Sequence, residues 1–397
     1  MSFTNRLPTN RLADFLYMPP IQQSSLALHK KLHGKIEIAL KAKVKNRRDL
    51  SLVYTPGVGA VSLAIAKNPK LADTMTWKKN TVAIVSDGSA VLGLGNIGPL
   101  GALPVMEGKS VIFKQFANID AVPIVLSTQD SDEIVAAVKA IAPTFGAIQL
   151  EDISAPRCFG IENRLMDELD MPVMHDDQHG TAIVVLAGLM NALKVVKKSL
   201  TDIRIVLSGA GAAGTAIAKL LIASGASDLV VCDSKGIIGM NRKDLNAEKK
   251  ALRSVTNPRG LNGYLKEALT GADVFIGISA PGILTKELVK TMAKKPVVFA
   301  LANPTPEILP KDAKKAGVAV IATGRSDFAN QVNNALCYPG LFRGMLDNNI
   351  KRVDDAIKIR AAKAIAAFIK HPTPDRIIPT MFDKGLHEAV ARSVRNR

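Results

Sequence analysis

The sequence DIRIVLSGAGAAGTAIAKLLIASGASDLVVCDSKG, residues 202–236, predicts a strand, a glycine-rich turn, a helix and a second strand. Its GAGAAG turn matches the GxGxxG pattern, in which Gly209 permits the tight turn, Gly211 lets the backbone approach a pyrophosphate and Gly214 brings helix and strand together. The start of the helix offers unpaired N–H groups to phosphate oxygens. Asp233 ends the second strand, where a carboxylate accepts hydrogen bonds from ribose hydroxyls. The segment therefore predicts a dinucleotide-binding unit.

The choice between NAD and NADP stays open at this stage. Asp233 would repel a 2′-phosphate, yet Ser234 and Lys235 follow it directly and can receive one. A second loop, GISAPGILT (residues 277–285), follows a later strand and is placed to pass under the nicotinamide ribose, although loop packing alone explains it nearly as well. The predicted cofactor-binding residues of these segments are Gly209, Ala210, Gly211, Ala212, Ala213, Gly214, Asp233, Ser234, Lys235 and Ser279.

Strand-like and helical segments alternate along the whole chain, which is the pattern of βαβ units and of a parallel sheet. The predicted fold class is α/β, with an N-terminal α/β substrate domain at residues 1–165 and a C-terminal Rossmann-type dinucleotide-binding domain with a parallel sheet at residues 166–397. Strands are predicted at residues 81–87, 110–116, 121–127, 146–152, 272–279, 296–303 and 318–324. Helices are predicted at residues 181–198, 354–370 and 374–394.

Composition limits the classes of partner. A net charge of +17 raises nucleic acid, an anionic membrane or anionic metabolites, but the Lys and Arg residues are scattered and do not form a binding tail, so we expect no nucleic-acid partner. The longest uninterrupted apolar run, residues 181–190, is short of the roughly 20 residues of a membrane span, so we expect no membrane partner. Three separated cysteines without a CxxC motif indicate a reducing compartment, and we expect the cytoplasm.

Acidic residues follow two strand-like segments. Glu151 and Asp152 end one of them, and the segment HDDQHG, residues 175–180, follows the other and includes Asp177. Carboxylates at two strand ends suit a hard divalent cation, whereas Zn²⁺ prefers the imidazole nitrogens of this segment. The imidazoles of His175 and His179 can converge on one ion only if both lie on one face of a helix, and the residues before His175 look extended. Each acid is also an acceptable helix N-cap. A hard-cation site is the first hypothesis and a zinc site the second.

Seven motifs together resemble those of the malic enzyme family, most closely its short prokaryotic form. They are YTPGVG (54–59), SDGSAVLGLGNIGPLGALPVMEGKSVIFK (86–114), QLEDIS (149–154), HDDQHGTA (175–182), GAGAAG (209–214), LANPTPEI (301–308) and GRSDFANQVNNALCYPGLFRG (324–344). The resemblance runs from about residue 30 to the C-terminus. It implies oxidative decarboxylation of malate to pyruvate and CO₂, with NAD or NADP as the hydride acceptor and Mg²⁺ or Mn²⁺ as the metal.

The resemblance also implies a role for individual residues. Tyr54 matches the general acid of the family, Lys109 its general base, and Asp176 an acid that supports the lysine. The implied metal ligands are Glu151, Asp152 and Asp177, and the implied substrate-binding residues are Asn303 and Asn334, with Asn303 also at the cofactor. The family match therefore favours the hard cation over zinc.

The base role needs a lysine that loses its proton near neutral pH. A divalent cation and an oxidised nicotinamide nearby bias Lys109 toward its neutral form, because a further positive charge is costly there. Gly108 before it and a strand that starts at Ser110 favour this role over an ordinary solvated lysine. One departure concerns the substrate carboxylate: longer eukaryotic relatives have an arginine where this chain has Ala90, so Asn303, Asn334, the metal or backbone amides must hold that group.

Three alternative functions remain after these steps. A malolactic enzyme would retain NADH and reduce pyruvate to lactate, and an amino-acid dehydrogenase would use a lysine without a carboxylate-bound metal. An NAD-binding regulatory protein would need no catalysis, but the acids and bases present in each motif argue against it. The small-molecule partner is therefore expected to be malate or pyruvate. Members of the family usually form dimers, and helices in the first fifty residues can supply an interface, so we expect a homodimer.

Overall fold

The computed structural model describes residues 20–395, which divide into two compact units between residues 43 and 44. The described part of the first unit, residues 20–43, contains the helix α1 (Pro20–Leu32). The second unit, residues 44–395, contains two sheets and the candidate site.

The first sheet of the second unit has four parallel strands in the order β2-β1-β3-β4. In chain order its elements are α2 (Arg47–Val53), α3 (Gly57–Lys67), α4 (Ala72–Met75), β1 (Thr81–Ser86), α5 (Gly98–Ala117), β2 (Asp120–Val125), α6 (Ser131–Ile141), β3 (Ala147–Leu150), α7 (Arg157–Glu168) and β4 (Val173–His175). Because β4 pairs with β3, this sheet extends beyond residue 165, the predicted end of the first domain.

One predicted strand, at residues 110–116, is wrong, because these residues lie inside α5. The segment SVIFKQF is rich in β-branched and aromatic residues, which favour strands when a single segment is considered alone. The buried residues of α5 are Ala102, Met106, Lys109, Ser110 and Phe113. Their spacing of three and four is that of one helix face, so tertiary packing overrides the local preference. Lys109 therefore projects from the buried face of a helix and does not precede a strand.

The second sheet has six strands in the order β10-β9-β8-β5-β6-β7, all parallel except the short edge strand β7. Its elements are α8 (Asp176–Val196), β5 (Arg204–Ser208), α9 (Ala212–Ala223), β6 (Asp228–Asp233), β7 (Gly236–Ile237), α10 (Ala247–Val255), α11 (Leu265–Leu269), β8 (Val274–Gly277), α12 (Lys286–Lys290), β9 (Val297–Ala300), α13 (Pro310–Lys315), β10 (Val320–Thr323), α14 (Tyr338–Asn348), α15 (Asp355–Ala367) and α16 (Leu386–Ser393). Short 3₁₀ turns lie at Pro69–Leu71, Lys78–Asn80, Ala142–Thr144 and Asn334–Leu336. The predicted α/β class with parallel sheets is confirmed.

The strand order places the cofactor edge. The chain proceeds from β5 to β6 on one side and returns to β8 on the other, so the connections leave in opposite directions at the carboxyl end of β5. Such a point opens a crevice where ligands of α/β proteins bind. The GAGAAG turn lies in this crevice, directly after β5.

Two predicted helices differ in extent. The helix predicted at residues 181–198 is α8, which begins five residues earlier, at Asp176. The helix predicted at residues 374–394 is wrong in its first half, since α16 covers only Leu386–Ser393. Pro379 lies in that first half, and Gly385 has a φ of 85°, so the chain there suits a turn better than a helix.

The C-terminal helices also pack against the first sheet's helices. The Phe113 ring on α5 meets the rings of Tyr338 and Phe342 on α14 edge-on, at centroid distances of 4.8 and 5.3 Å. Aromatic pairs in this geometry contribute about 0.5–1.5 kcal/mol beyond their buried area. These contacts hold the helix that carries Lys109 against the C-terminal part of the chain.

Two helical stretches have the length and hydropathy of a membrane span. In Asp176–Val196, 72% of the apolar window is buried within the protein, as in the core helix of a globular domain. Arg47–Lys67 is interrupted between α2 and α3, and none of the residues of these two helices is buried. The apolar side chains of this second stretch, including Leu52, Val53 and Leu63, are exposed.

Candidate active site

Three carboxylates from neighbouring strand ends come together. Glu151 and Asp152 follow β3, and Asp177 lies in the first turn of α8, directly after β4. Because β3 and β4 are adjacent and parallel, their carboxyl ends lie at the same edge of the sheet. One oxygen of each carboxylate lies within 4.8 Å of the other two, and the Asp152 backbone N–H donates to Asp177 Oδ2 at 2.8 Å. The three side chains predicted as metal ligands thus share one place.

The electrostatics of this group favour a cation. Burial raises the pKa of Asp152 to about 7, and repulsion by Asp177 adds to this effect. Burial and the same neighbour also raise the pKa of Glu151 well above its ordinary value. The buried Oδ2 atom of Asp152 has no hydrogen-bond partner within residues 20–395. A divalent cation relieves the repulsion, and the all-oxygen set fits Mg²⁺ or Mn²⁺.

Lys109 lies against two of the acids. Its Nζ atom is 2.5 Å from Asp176 Oδ2 and 3.0 Å from Glu151 Oε1, and its side chain is 11% exposed. Burial alone would lower the pKa of Lys109, but Asp176 and Glu151 outweigh burial and raise that pKa well above its ordinary value. The protein's own groups therefore favour the ammonium form. The neutral form expected above depends on the positive charges that a divalent cation and an oxidised nicotinamide bring.

Asp176 is fully buried at the start of α8, and its carboxylate occupies space that a side chain at Gly180 would fill. A Cβ atom at Gly180 would lie 1.9 Å from Asp176 Oδ1 and 3.1 Å from Asn334 Cβ. Only glycine fits at position 180, one turn further along the helix. The same contacts place Asn334, a predicted substrate ligand, beside the buried carboxylate that holds Lys109.

The two histidines of HDDQHG are held by Glu162 on α7. Glu162 accepts hydrogen bonds from the His175 backbone N–H at 2.7 Å, from Gln178 Nε2 at 2.9 Å and from His179 Nε2 at 3.1 Å. The group of described side chains suited to a metal consists of Glu151, Asp152 and Asp177, with no imidazole. The structure thus favours the hard cation over the zinc hypothesis, and Glu162 holds the residues at the start of α8.

Tyr54, the predicted acid, is exposed to solvent. It is the residue that ends α2, and it is 63% exposed. Across residues 20–395, no hydrogen bond joins its hydroxyl to Lys109 or to the acids. Within one described chain, the predicted acid is therefore not hydrogen-bonded to the predicted base.

Asn303 follows β9 and meets the loop after β1. A Cβ atom at Gly93 would lie 2.6 Å from the Asn303 carbonyl oxygen, and one at Gly324 would lie 2.9 Å from its side-chain nitrogen. Gly93 has a φ of 78°, so this approach needs glycine for conformation as well as for space. The loop that contains Ala90 thus contacts the segment after β9 that includes Asn303, a predicted substrate-binding residue.

The glycines of GAGAAG differ in what limits them. A Cβ atom at Gly209 would lie 2.8 Å from the Ile278 carbonyl oxygen, and one at Gly214 would lie 1.9 Å from the Gly209 carbonyl oxygen. A Cβ atom at Gly211 would meet no atom within 4 Å. Packing therefore requires the outer glycines, while Gly211 faces the crevice that a pyrophosphate would enter. Ser279 is tied to the end of β5 by a 3.0 Å contact between its Oγ and that of Ser208.

A cavity of about 300 Å³ lies between this turn and the segment that follows the acidic edge. Its lining residues are Ala155, Pro156, Phe159, Gly209, Ala210, Gly211, Asp233, Ser234, Asn246, Glu248 and Lys249. Ala155 comes three residues after Asp152, so one short segment links the carboxylate group to the cofactor crevice.

Asp233 is already saturated with donors. Its Oδ1 accepts from the Lys235 backbone N–H at 2.9 Å and from Arg242 at 3.0 Å, and its Oδ2 accepts from Arg242 at 3.1 Å and from Lys249 at 2.6 Å. Burial opposes ionisation, but these bonds prevail and lower the pKa of Asp233 to about 2. Its charge is therefore neutralised, and a 2′-phosphate meets less repulsion here than the sequence alone implies.

Several contributors escape sequence reasoning. The Tyr338 ring centroid lies 4.5 Å from Lys109 Nζ, a cation–π contact from a distant segment that no local pattern announces. Gln149 donates to Glu151 Oε2 at 2.7 Å. Gln149 lies in β3 and Glu151 comes directly after it, and their two-residue spacing along extended chain puts both side chains on the same side, a signal that was available. Arg242 and Lys249 lie in segments without a motif.

Comparison with known proteins agrees with these features. Residues 33–166 match the family model of the malic enzyme N-terminal domain, and residues 178–394 match that of the malic enzyme NAD-binding domain. The chain is 55% identical over 363 residues to the NAD-dependent malic enzyme of Geobacillus stearothermophilus, covering 91% of this chain and 76% of that protein. It is 52% identical over 377 residues to the bifunctional malic/malolactic enzyme of Bacillus subtilis, covering 94% and 92% of the two chains. The crystal structure of the NAD-dependent malic enzyme from Thermotoga maritima superposes with a TM-score of 0.91 at 48% identity, covering 94% of this chain and 99% of that one. The chain therefore belongs to the malic enzyme family.

Proposed function

We propose that this protein oxidatively decarboxylates malate to pyruvate and CO₂, with NAD⁺ or NADP⁺ as hydride acceptor and Mg²⁺ or Mn²⁺ as the metal. The observation that carries the proposal is the Lys109 amine, held 2.5 Å from Asp176 and 3.0 Å from Glu151 beside a group of carboxylates suited to a hard cation. The cofactor cavity begins three residues after Asp152. Relatives named NAD-dependent malic enzyme support the same reaction.

Lys109 is assigned the role of general base. In its neutral form it takes the proton of the substrate C2 hydroxyl while hydride leaves that carbon for the nicotinamide. Asp176 orients the amine and stabilises the ammonium that forms, and the Tyr338 ring contributes a cation–π contact to that charge. Glu151, Asp152 and Asp177 are assigned as metal ligands, and the bound cation supplies Lewis-acid polarisation of the substrate oxygens during loss of CO₂.

Substrate binding is assigned to the side-chain amides of Asn334 and Asn303. Asn334 lies beside Asp176 through Gly180, and Asn303 meets the loop that contains Ala90 through Gly93. Side-chain amides at these positions donate to carboxylate oxygens without adding a positive charge next to Lys109. This is how the chain is proposed to hold malate without the arginine that longer relatives place at position 90.

Tyr54 is assigned as the acid that protonates C3 of the enol of pyruvate, and a second copy of the chain is proposed to bring it to the site. Tyr54 is 63% exposed, and the helices on either side of it, α2 and α3, bury no residue. Exposed apolar side chains on this stretch include Leu52, Val53 and Leu63. A monomer rarely leaves such a surface uncovered, so we propose a homodimer that buries it.

The division of labour between domains and the compartment are proposed as well. Residues 1–165 are proposed as the substrate part and residues 166–397 as the dinucleotide part, except that β4 belongs with the first sheet because it pairs with β3. The cytoplasm is the proposed compartment.

A steady-state assay tests the reaction. We expect L-malate to yield NADH or NADPH together with pyruvate in stoichiometric amounts when Mn²⁺ is present, and no product when EDTA replaces the metal. A malolactic activity is the second candidate, because the Bacillus subtilis relative is named a bifunctional malic/malolactic enzyme. It would produce lactate without net reduced dinucleotide. If malate yields neither pyruvate with reduced dinucleotide nor lactate, the proposed function is refuted.

A further inference from the structure

The carboxylate of Glu307 joins the two loops that are assigned to the two ligands. It is fully buried after the NPTP segment, and each of its oxygens accepts one backbone hydrogen bond from a different loop. Oε1 accepts from the Ser279 N–H at 3.0 Å, in the loop after β8, and Oε2 accepts from the Ala302 N–H at 3.0 Å, in the loop after β9. One side chain thus spans from the cofactor loop to the residue that precedes Asn303.

The backbone around Glu307 strengthens the same connection. Its carbonyl oxygen accepts from Leu284 N–H at 3.1 Å, and the Pro306 carbonyl oxygen accepts from Gly282 N–H at 3.2 Å. A Cβ atom at Gly277 would lie 2.5 Å from the Glu307 carboxyl carbon, so the side chain is packed directly against the end of β8. The two loops therefore form one hydrogen-bonded unit with the carboxylate at its centre.

The Glu307 carboxylate connects the two loops although it is buried without a cationic partner in the described chain, which is energetically unfavourable. Within residues 20–395, Glu307 forms no ion pair with a lysine, an arginine or a histidine, and burial raises its pKa despite the backbone donors. An uncompensated buried charge is unfavourable relative to an apolar side chain that fills the same space. The charge-assisted bonds to two amides offset part of this cost and hold the two loops at a defined spacing.

We propose that Glu307 is a positioning residue that couples the binding of dinucleotide at the Ser279 loop to the binding of substrate at the Asn303 loop. This inference rests on the proposed function, which assigns those loops to the two ligands. When one ligand orders its loop, the shared carboxylate orders the other loop as well, so the second ligand binds with a smaller entropy loss. Such coupling is reciprocal, and each ligand tightens the other by the same factor.

Fluorescence titration of NADH with and without oxalate, both in the presence of Mg²⁺, measures this factor directly. Oxalate is a planar dianion that resembles the enol form of the product. In the natural protein we expect oxalate to lower the Kd of NADH by about tenfold or more. In Glu307→Gln the factor should fall below about twofold, because an amide cannot accept from both loops. Glu307→Asp keeps the charge but is one methylene shorter and cannot span both donors, so it should behave in the same way.

The matched control is Glu287→Gln, which removes an exposed carboxylate from α12 and should keep the full factor. Thermal midpoints of all variants separate misfolding from lost coupling, and Glu307→Asp carries the test if Glu307→Gln does not fold. Weaker binding of both ligands with an unchanged factor would overturn the inference, as would a natural protein in which oxalate has no effect on NADH. Malate turnover by the same preparation is measured separately, so failure of the proposed function is distinguishable.

Discussion

Lys109 Nζ lies 2.5 Å from Asp176 Oδ2, and the two residues are 67 positions apart in the chain. The contact joins the buried face of α5 to the first residue of α8, and therefore to the strand end that also supplies Asp177. The proposed base and one proposed metal ligand, Asp177, are thus positioned by the same helix start, and substitutions can measure their contributions separately.

Lys109→Ala should abolish malate oxidation, with a loss of about 10²–10⁴ in kcat as is typical for a general base. The reductions of added oxaloacetate and pyruvate should be weakened to a different degree than in Tyr54→Phe, because the two residues are assigned to different proton transfers. The control is Lys114→Ala, an exposed lysine of the same helix that pairs with Asp120. Equal losses in every partial reaction for both variants would argue against separate roles.

Asp177→Asn should weaken Mn²⁺ binding by about tenfold or more, because the variant removes one charge from an all-oxygen set. Its kcat should recover partly at high Mn²⁺ concentration, and its activity should be lost at lower EDTA than in the natural protein. Electron paramagnetic resonance of free Mn²⁺ measures the affinity without relying on turnover. Glu133→Gln, an exposed acid of α6, is the matched control. An unchanged Mn²⁺ affinity would remove Asp177 from the metal site.

The parts of the site that follow from strand ends could be predicted from the sequence. Glu151, Asp152 and Asp177 each come directly after an apolar strand, and parallel strands bring such positions to one edge. The environment of Lys109 could not be predicted in the same way, because SVIFKQF has the composition of a strand and becomes helical where one of its faces is buried by packing against other segments. The rule that failed is a local propensity, and the force that overrode it is burial.

Contacts between distant segments are the second limit on sequence reasoning. Asp233 was identifiable from its place after the glycine turn, but its neutralisation depends on Arg242 and Lys249, which reach it across a loop. Likewise, Tyr54 is exposed because other described segments of the chain leave most of its side chain uncovered. No spacing rule contains this information, because it arises only when the segments are placed in three dimensions.

Lys249→Gln should shift cofactor preference toward NAD. Lys249 Nζ lies 2.6 Å from Asp233 Oδ2 in the ribose end of the cavity, where it can turn to a 2′-phosphate. A charge-assisted hydrogen bond is worth about 1.5–3 kcal/mol, so the NADP-to-NAD ratio of kcat/KM should fall by about tenfold or more. Lys250→Gln removes the same charge from the exposed side of α10 and should leave the ratio within twofold. The same ratio in both variants would place the 2′-phosphate elsewhere.

Leu63→Asp should convert the proposed dimer to a monomer. Leu63 is 66% exposed on α3, a helix with no buried residue, and a carboxylate buried in an apolar interface is strongly unfavourable. Light scattering coupled to size exclusion measures the mass, and circular dichroism checks that the chain remains folded. Malate oxidation should fall together with the dimer, because Tyr54 is proposed to act in the partner's site. A folded monomer with full activity would refute that arrangement.

His387 should make the protein less stable in mild acid. It is 5% exposed and its ring lies 4.9 Å from that of Phe116, and burial lowers its pKa although Glu388 opposes the shift. The folded state therefore disfavours the protonated imidazole. This contribution to stability is complete above the unfolded pKa of about 6.5 and is lost as pH falls from there through the lowered pKa of the folded state.

The raised pKa values of Asp152 and Glu151 change stability with pH in the opposite direction, so measurements on the natural protein alone give only the sum of these effects. Urea unfolding of the natural protein and of His387→Leu at two pH values on either side of this range isolates the histidine. The destabilisation caused by His387→Leu should be smaller at the lower pH, since the variant has no imidazole to protonate. A difference between the two proteins that does not change with pH would show that His387 has the same pKa in the folded and unfolded states.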